Sequence, residues 1–491
     1  MQGKKSQQEK LFISFQLSDH VPEDNFYRRL ASELDLQFLY QLTAPYYGTE
    51  GQKSIDPVVF MKLMLVGYLE NLNSDRRIIT ISRLRLDILY FIGYNLDEEL
   101  PWHSTLSRTR QLYSEHIFNE LFKRVLKQCC DKGMVSGRRQ AVDGFFIKAN
   151  ASLDSMVERE ILEDADTYTR ELKANEEEPI AVIKKIDTTS RYDDQGLKPK
   201  KNPSNDSHYS PSDPDAKMSV KPGKPTALNY LGQVSVDTVG HVITHVQAVT
   251  AEKRDSECMA SVLRHLKGNL SENELTLKEI IADKGYSSAD ALKALQASGI
   301  TGYIPNRGQF NYQREGFIYD PDEDYYQCAR GVKVRYQATY FITGYWMKQY
   351  GAGVKNCNDC PLKDKCIAFK GSRLLIKETI DKPFYDTMHI RMQTLKAKKL
   401  MKLRQSTVEP VIGTLVNFLG IKRVNTKGIA QANKCLTMAA IAYNLKKVLT
   451  TKGKSTKYDL ESIFWMPHNT KAVIRLLTIN PYQHNFHLCL S

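Results

Sequence analysis

Long apolar runs are missing from this chain: none of its 491 residues belongs to one approaching the ~20 residues that a bilayer span needs. The first residues, MQGKKSQQEKLF, lack the apolar stretch of a secretory signal. A membrane span is therefore excluded, and secretion is not expected. Cysteine is scarce and odd in number, nine in all, with three crowded at Cys357, Cys360 and Cys366. That usage argues against a disulfide framework and for a reduced, cytoplasmic chain with room for a metal site. No internal repeat is visible. What the chain has in excess is positive charge. Its 69 Lys and Arg against 56 Asp and Glu leave +13, a balance that points to a polyanionic partner. At roughly 150 residues per domain, the length suits three domains with real cores.

Residues 1–136 read as mostly helical. Asp56-Pro57 supplies an N-cap and a Pro at N1, and the run after them is apolar nearly all round, as in a buried helix. Ser104 is placed to cap a helix carrying Arg108 and Arg110, and 118–130 holds another apolar helical stripe. At Arg138 the pattern changes to a strand, in which Phe145, Phe146 and Ile147 imply burial on both faces. An acidic helical stretch (154–178) follows, and then a Pro-rich linker over 187–225. A hairpin turning near Asp237 to Gly240 leads into alternating helix and strand, so the middle of the chain reads as α/β. Residues 309–380 are aromatic-rich and hold the Cys cluster, as a β-rich insertion would. The pattern is helical again to about 450, and 451–491 carry no clear signal.

Three acids stand out. Asp143 lies within an apolar strand, where an unpaired carboxylate would cost several kcal/mol, so it must be paired, hydrogen-bonded or bound to a cation. Asp283 ends the apolar run Ile280-Ile281-Ala282, at the strand end where α/β sheets bind ligands; a simple cap on the following turn is the alternative. Glu409 is the only acid between His389 and Thr450, a segment with twelve Lys or Arg and a net charge of +11. Its alternative is a capping box with Ser406, against which stands Pro410, since Pro disfavours helical geometry in the residue before it. Two strand-borne Asp and one helix-borne Glu in a basic surround suit phosphodiester chemistry. That chemistry uses two divalent ions about 4 Å apart, with few protein carboxylates and the substrate phosphate completing each shell.

The motifs AVDGFFIKANAS, SPSDPDAKM, IIADKGYSS and VEPVIGTL, in that order, resemble those of a DDE-type insertion-sequence transposase of the bacterial cut-and-paste group. PWHSTLSRTR at 101–110 and the tail RVNTKG…AAIAYNLKKVL resemble the same family, so the resemblance covers most of residues 10–450. It implies a helical N-terminal DNA-binding domain (1–136), a ribonuclease-H-like catalytic domain (137–450) and a C-terminal extension of unknown role (451–491). It also implies that Asp143, Asp283 and Glu409 hold two Mg²⁺, with Mn²⁺ as a substitute. The reaction implied is hydrolysis at the transposon ends and attack of the freed 3′-OH on target DNA, with the protein a homodimer on double-stranded DNA. Related transposases often carry an Arg shortly before the Glu and a Lys seven residues after it. Arg404 fits the first, but the second position is Val416, with Lys422 or Arg423 as substitutes. A hydrolysis-only nuclease and a catalytically silent DNA-binding descendant remain as rival readings.

Two further sets follow from residue chemistry. Cys328, Cys357, Cys360 and Cys366 match a structural zinc site in number, with reduced cysteines packed in a small lobe as the alternative. For DNA contact the candidates are Arg108 and Arg110 on the N-terminal helix, and Lys396, Lys398, Lys399, Lys402, Arg404, Lys422 and Arg423 around Glu409.

Overall fold

The computed structural model describes residues 15–158, 203–220 and 225–451, apart from short gaps at 49, 52–53, 309, 311, 343, 354, 356, 358–359 and 371–372. Most of the acidic stretch 154–178, much of the Pro-rich 187–225 and all but the start of 451–491 lie outside the described residues.

Helices α1 (Leu17–His20), α2 (Phe26–Glu33), α3 (Phe38–Thr43), α4 (Pro57–Leu69), α5 (Asp75–Leu84), α6 (Leu86–Ile92), α7 (His103–Leu112) and α8 (Glu115–Asp131) build the N-terminal part. The Asp56 side chain accepts from the amides of Val58 and Val59 at 2.7 and 3.1 Å, so two orphan donors of α4 are satisfied where the sequence placed the cap. Behind that cap Phe60, Leu63, Leu65 and Val66 are fully buried. Ser104, by contrast, is not the cap of α7. The helix begins at His103, and Ser104 Oγ instead accepts from Arg108 Nη2 at 3.1 Å.

Strand β1 (Arg139–Lys148) is the spine of the central sheet. After it come β2 (Val157–Glu158), β3 (His208–Tyr209), β4 (Lys217–Ser219), β5 (Ala227–Asp237) and β6 (Ile243–Thr250). Helix α9 (Asp255–Ser271), strand β7 (Glu279–Ala282), helix α10 (Ala289–Ala297) and strand β8 (Thr301–Tyr303) complete this part. β1 pairs antiparallel with β5 and parallel with β7. Outward from them, β6 pairs antiparallel with β5, and β8 parallel with β7. The hairpin β5–β6 needs only a short turn, whereas the parallel pair β7–β8 needs the crossover through α10, as the alternating pattern predicts. Ala141, Val142 and Ile147 are fully buried, in keeping with a strand covered on both faces.

The insertion is a separate antiparallel sheet. Its strands are β9 (Phe317–Asp320), β10 (Tyr325–Cys328), β11 (Lys333–Ile342), β12 (Tyr345–Ala352), β13 (Phe369–Lys370) and β14 (Arg373–Thr379), in the order β13-β14-β12-β11-β10-β9. Phe317, Tyr326, Val334, Tyr350, Leu374 and Ile376 form its core. Helices α11 (Lys382–Gln393), α12 (Leu395–Phe418) and α13 (Ile429–Thr450) close the fold.

The part of the Pro-rich segment that is described is a clip and not a mere linker. Buried Asp213 accepts from the Tyr230 hydroxyl of β5 at 2.6 Å and from the Gly428 amide at 3.0 Å, while Asp215 accepts from the Ile429 amide at 2.9 Å. Two acids thus satisfy donors at the start of α13, where a helix favours negative charge. The N-terminal helices are tied to the same region. Lys434 Nζ donates to the Arg110 carbonyl at 2.9 Å and Lys446 Nζ to that of Leu69 at 3.2 Å. No helix among the described residues is long and apolar enough to cross a membrane.

Candidate active site

The parallel register sets Val142 beside Ala282, so the next residues, Asp143 and Asp283, leave adjacent strands side by side. Asp143 Oδ1 accepts from the Gly144 amide at 2.9 Å, and Oδ2 pairs with Arg404 Nη2 at 2.8 Å. Asp283 Oδ1 accepts from the Gly285 amide at 2.8 Å, which closes the turn after β7. Burial pushes the Asp143 carboxyl up to about 6; Arg404 pulls it down, and the charges of Asp283 and Asp255 push it up again. Such a group gains from a nearby cation, because the cation offsets both the lost hydration and the neighbouring negative charges. Carboxylate oxygens are hard donors of the kind that Mg²⁺ or Mn²⁺ takes.

Glu409 is placed differently. α12 runs unbroken from Leu395 to Phe418, with Pro410 inside it, and its cap is Thr394, whose Oγ1 accepts from the Ala397 amide at 3.1 Å. Ser406, the cap a capping box would need, lies mid-helix and bonds back to the Leu403 carbonyl. Arg404, Val408, Val411 and Leu415 form the buried stripe of α12. At 100° and 1.5 Å per residue, Glu409 lies about 140° round the axis from Arg404 and about 7.5 Å further along. It is exposed and makes no side-chain hydrogen bond or ion pair within the described residues. Among those residues no three His, Cys, Asp or Glu side chains come together closely enough to hold a metal ion.

The basic segment is less uniform than its charge sum. Arg404 is buried on Asp143, with Nε lacking any partner among the described residues, and Lys396 pairs with buried Glu279, which Arg139 also contacts. Arg391 donates to the Gly302 carbonyl, and Arg423 to Asn150 Oδ1 at 2.9 Å. Lys434 is buried against the Arg110 carbonyl and the Phe118 ring. Lys398, Lys399, Lys402, Lys422 and Lys427 remain exposed. Val416 is half-buried on α12.

Arg110 is a correction. Its side chain is 3% exposed and pairs with Asp75 Oδ1 at 2.5 Å beside Met64, so it is an internal counter-charge and does not face DNA. Arg108, two residues away, is exposed. A third acid that the sequence reading passed over lies at the Asp pair. Asp255 opens α9, where an acid in a first turn looks like ordinary dipole compensation, so no sequence signal set it apart.

In the β-rich lobe Cys328, Cys357, Cys360 and Cys366 line one cavity of about 300 Å³. Cys357 belongs to the lobe's core, and Cys328 and Cys366 pack on it. Burial, and then the neighbouring sulfurs, push the Cys357 thiol up.

Residues 15–112 match the model of a transposase domain (DUF772), and residues 327–449 match that of a transposase DDE domain. The second match contains Glu409 and the Cys set but neither Asp143 nor Asp283. No curated relative matches the sequence. Among solved structures, the piggyBac transposase synaptic complex with hairpin DNA aligns at 9% identity and TM-score 0.30, covering 93% of this chain and 83% of that one. The Mos1 transposase paired-end complex with left transposon end aligns at 8% identity and TM-score 0.16, covering 56% and 70%. Similarity at those levels carries no inference about fold or function. Both matched segments, the N-terminal helices and the stretch from the β-rich lobe through α13, are thus similar to transposases, the second to a transposase DDE domain.

Proposed function

We propose that this chain binds the ends of its own insertion sequence and catalyses DNA cleavage and strand transfer through Asp143, Asp283 and Glu409. The observation that carries the reading is the parallel β1–β7 pairing, which brings Asp143 beside Asp283 at the ligand-binding end of the sheet. The strand order β5-β1-β7-β8, with β4 and β6 both on β5, is antiparallel on one side of β1 and parallel on the other, and it supports a ribonuclease-H-like catalytic domain over 137–450. Residues 1–136 are then the DNA-recognition part, and a homodimer pairs the two ends.

Asp143 and Asp283 would hold the divalent ions, with Glu409 completing the set when DNA is engaged. Two such ions would activate the attacking oxygen and stabilise the leaving one. Arg404, freed from Asp143 by the cation, would turn to the phosphate. The experiment is a cleavage assay with the element's own ends and Mg²⁺. Specific end binding without any cleavage would favour instead a silent DNA-binding descendant, a reading supported by exposed Glu409 and by Val416.

Salt tests the DNA surface. The exposed Lys398, Lys399 and Lys402 should each neutralise a phosphate. Changing all three to Gln should flatten the slope of log affinity against log salt by about 0.9 per contact. An unchanged slope would leave these lysines as solvated surface. Lys396→Gln is expected to act on stability, because it strips a partner from buried Glu279.

The four cysteines we assign to one structural zinc, supported by their common cavity; their side chains do not converge on one point as they stand and would turn inward to reach the ion. Protein purified without chelator should carry about one zinc per chain, and its removal should make the lobe protease-sensitive before the central sheet. Below about a tenth of an equivalent, with the lobe still resistant, the cysteines are packed thiols.

A further inference from the structure

Two glycines beside the paired Asp residues lie against the Asp255 carboxylate, which fills the side-chain space of Gly144 and, together with Asp283, crowds that of Gly285. A Cβ on Gly144 would lie 2.0 Å from Asp255 Oδ1 and 2.9 Å from Gln233 Nε2. A Cβ on Gly285 would lie 3.2 Å from Asp255 Oδ2 and 2.8 Å from Asp283 Oδ1. Neither glycine has a positive φ, so close approach and not backbone freedom is what requires them. Oxygens of Asp255 and Asp283 therefore surround one point in space next to the Asp283 turn. Gly144 directly follows Asp143, so the same carboxylate reaches the strand of the other acid.

Asp255 is oriented from below. Gln233 on β5 stands opposite Gly144 on β1 in the sheet register, and its Nε2 donates to Asp255 Oδ1 at 2.7 Å. The amide oxygen of Gln233 accepts from the hydroxyl of Tyr286, which is fully buried. That bond fixes which way the amide points. The relay ties α9, β5 and the turn after β7 to a single carboxylate position. The charges of Asp283 and Asp255 act on Asp143 against the pull of Arg404, so a further positive charge among these carboxylates would be favoured. A second, independent feature points to a ligand here. Arg404, its side chain 7% exposed, reaches Asp143 through Nη2, while its Nε, although buried, has no partner among the described residues. A buried guanidinium N–H without an acceptor suits an anionic oxygen arriving with the ion.

We infer that Asp255 is a further carboxylate of the divalent-ion site, acting beside Asp283, and that Gln233 and Tyr286 are its positioning residues. This rests on the reading of Asp143 and Asp283 as ion-binding acids. On the same reading, acids from both strands and from the start of α9 would turn toward the ion to hold it, since they do not converge closely enough as they stand. Glu409 on α12 is then left to join once the substrate is in place.

The test is Mn²⁺ titration of the full-length chain, free of DNA, followed by electron paramagnetic resonance. Asp255→Asn keeps the shape and the acceptor for Gln233 but removes the charge. It should weaken Mn²⁺ binding roughly tenfold or more, as loss of a ligand or its close support does. Tb³⁺ luminescence lifetimes in H₂O and D₂O should register about one extra bound water in the variant, filling the vacated position. Wild-type Mn²⁺ affinity in Asp255→Asn, alongside weakened binding in Asp143→Asn and Asp283→Asn, overturns the role of Asp255 and leaves the ion site standing. Unchanged affinity in all three variants overturns the ion site itself. Should Asp255→Asn melt early, Asp255→Glu takes its place. Moving a ligating carboxylate by one methylene should change the affinity about threefold or more, whereas wild-type affinity would overturn the inference.

Discussion

Glu409→Gln is expected to lower end cleavage by about a thousandfold or more while leaving the melting temperature where it was, since a two-metal centre fails as a unit. The pairing of those two outcomes is what gives the experiment its force. Glu409 is exposed and its side chain bonds to nothing within the described residues, so packing gives no reason for it to matter. Surface changes of that kind usually fall within ±0.5 kcal/mol. Only chemistry, or contact with DNA, makes such a residue indispensable, and binding measured in chelator separates the two. Asp143→Asn and Asp283→Asn should abolish cleavage equally but differ in stability. Asp143 is the counter-charge of buried Arg404, so its loss leaves a guanidinium unpaired and lowers the melting point. Among the described residues, the Asp283 side chain holds only the Gly285 amide, from which an Asn oxygen can also accept. Cleavage near the wild-type rate in any of the three variants would remove that residue from the site.

How much of this was legible in the sequence follows from the range of the forces involved. Local signals read true: the Asp56-Pro57 start of α4, the β5–β6 hairpin and the alternation around β7 and α10 each depend on residues within a few positions of one another. Asp143 stood out because it breaks an apolar strand, and Asp283 because it ends one. Asp255 did not, because its meaning depends on Gly144 and Gly285, distant in sequence and near only through sheet register. The basic segment misled in the opposite sense. Twelve cations within about sixty residues resemble one DNA-facing surface, yet Glu279, Asp143 and the carbonyls of Arg110 and Gly302 take up several of them. Composition counts charges; only packing decides which of them meet solvent. The Asp213 clip on α13 was hidden in the same way, since a Pro-rich loop offers no periodicity to read.

Arg110→Ala should cost about 3–5 kcal/mol of stability, the usual result of removing one partner from a buried ion pair. On α7 the buried positions are Leu106, Thr109 and Arg110, so the guanidinium is directed inward onto Asp75 at the start of α5. Truncation leaves that carboxylate without its counter-charge and opens space against Met64. A second consequence is local, because the Arg110 carbonyl is the acceptor for Lys434 of α13, and any shift of α7 disturbs that bond. The companion variant Asp75→Asn relieves the unpaired charge. The double variant Arg110→Ala with Asp75→Asn should therefore lose less than the sum of the two single losses, a coupling expected only of residues in contact. Arg108 supplies the contrast from the same helix. It is exposed, bonded to Ser104, and Arg108→Ala should change stability by less than about 0.5 kcal/mol. If α7 reads transposon ends, that change should instead weaken end-specific binding by about 1–3 kcal/mol in competition against random DNA. Chemical denaturation of both variants, run beside that competition, separates the two arginines. Equal stability losses from Arg108 and Arg110 would contradict the buried pair, and equal binding losses on both DNAs would leave Arg108 a phosphate contact only.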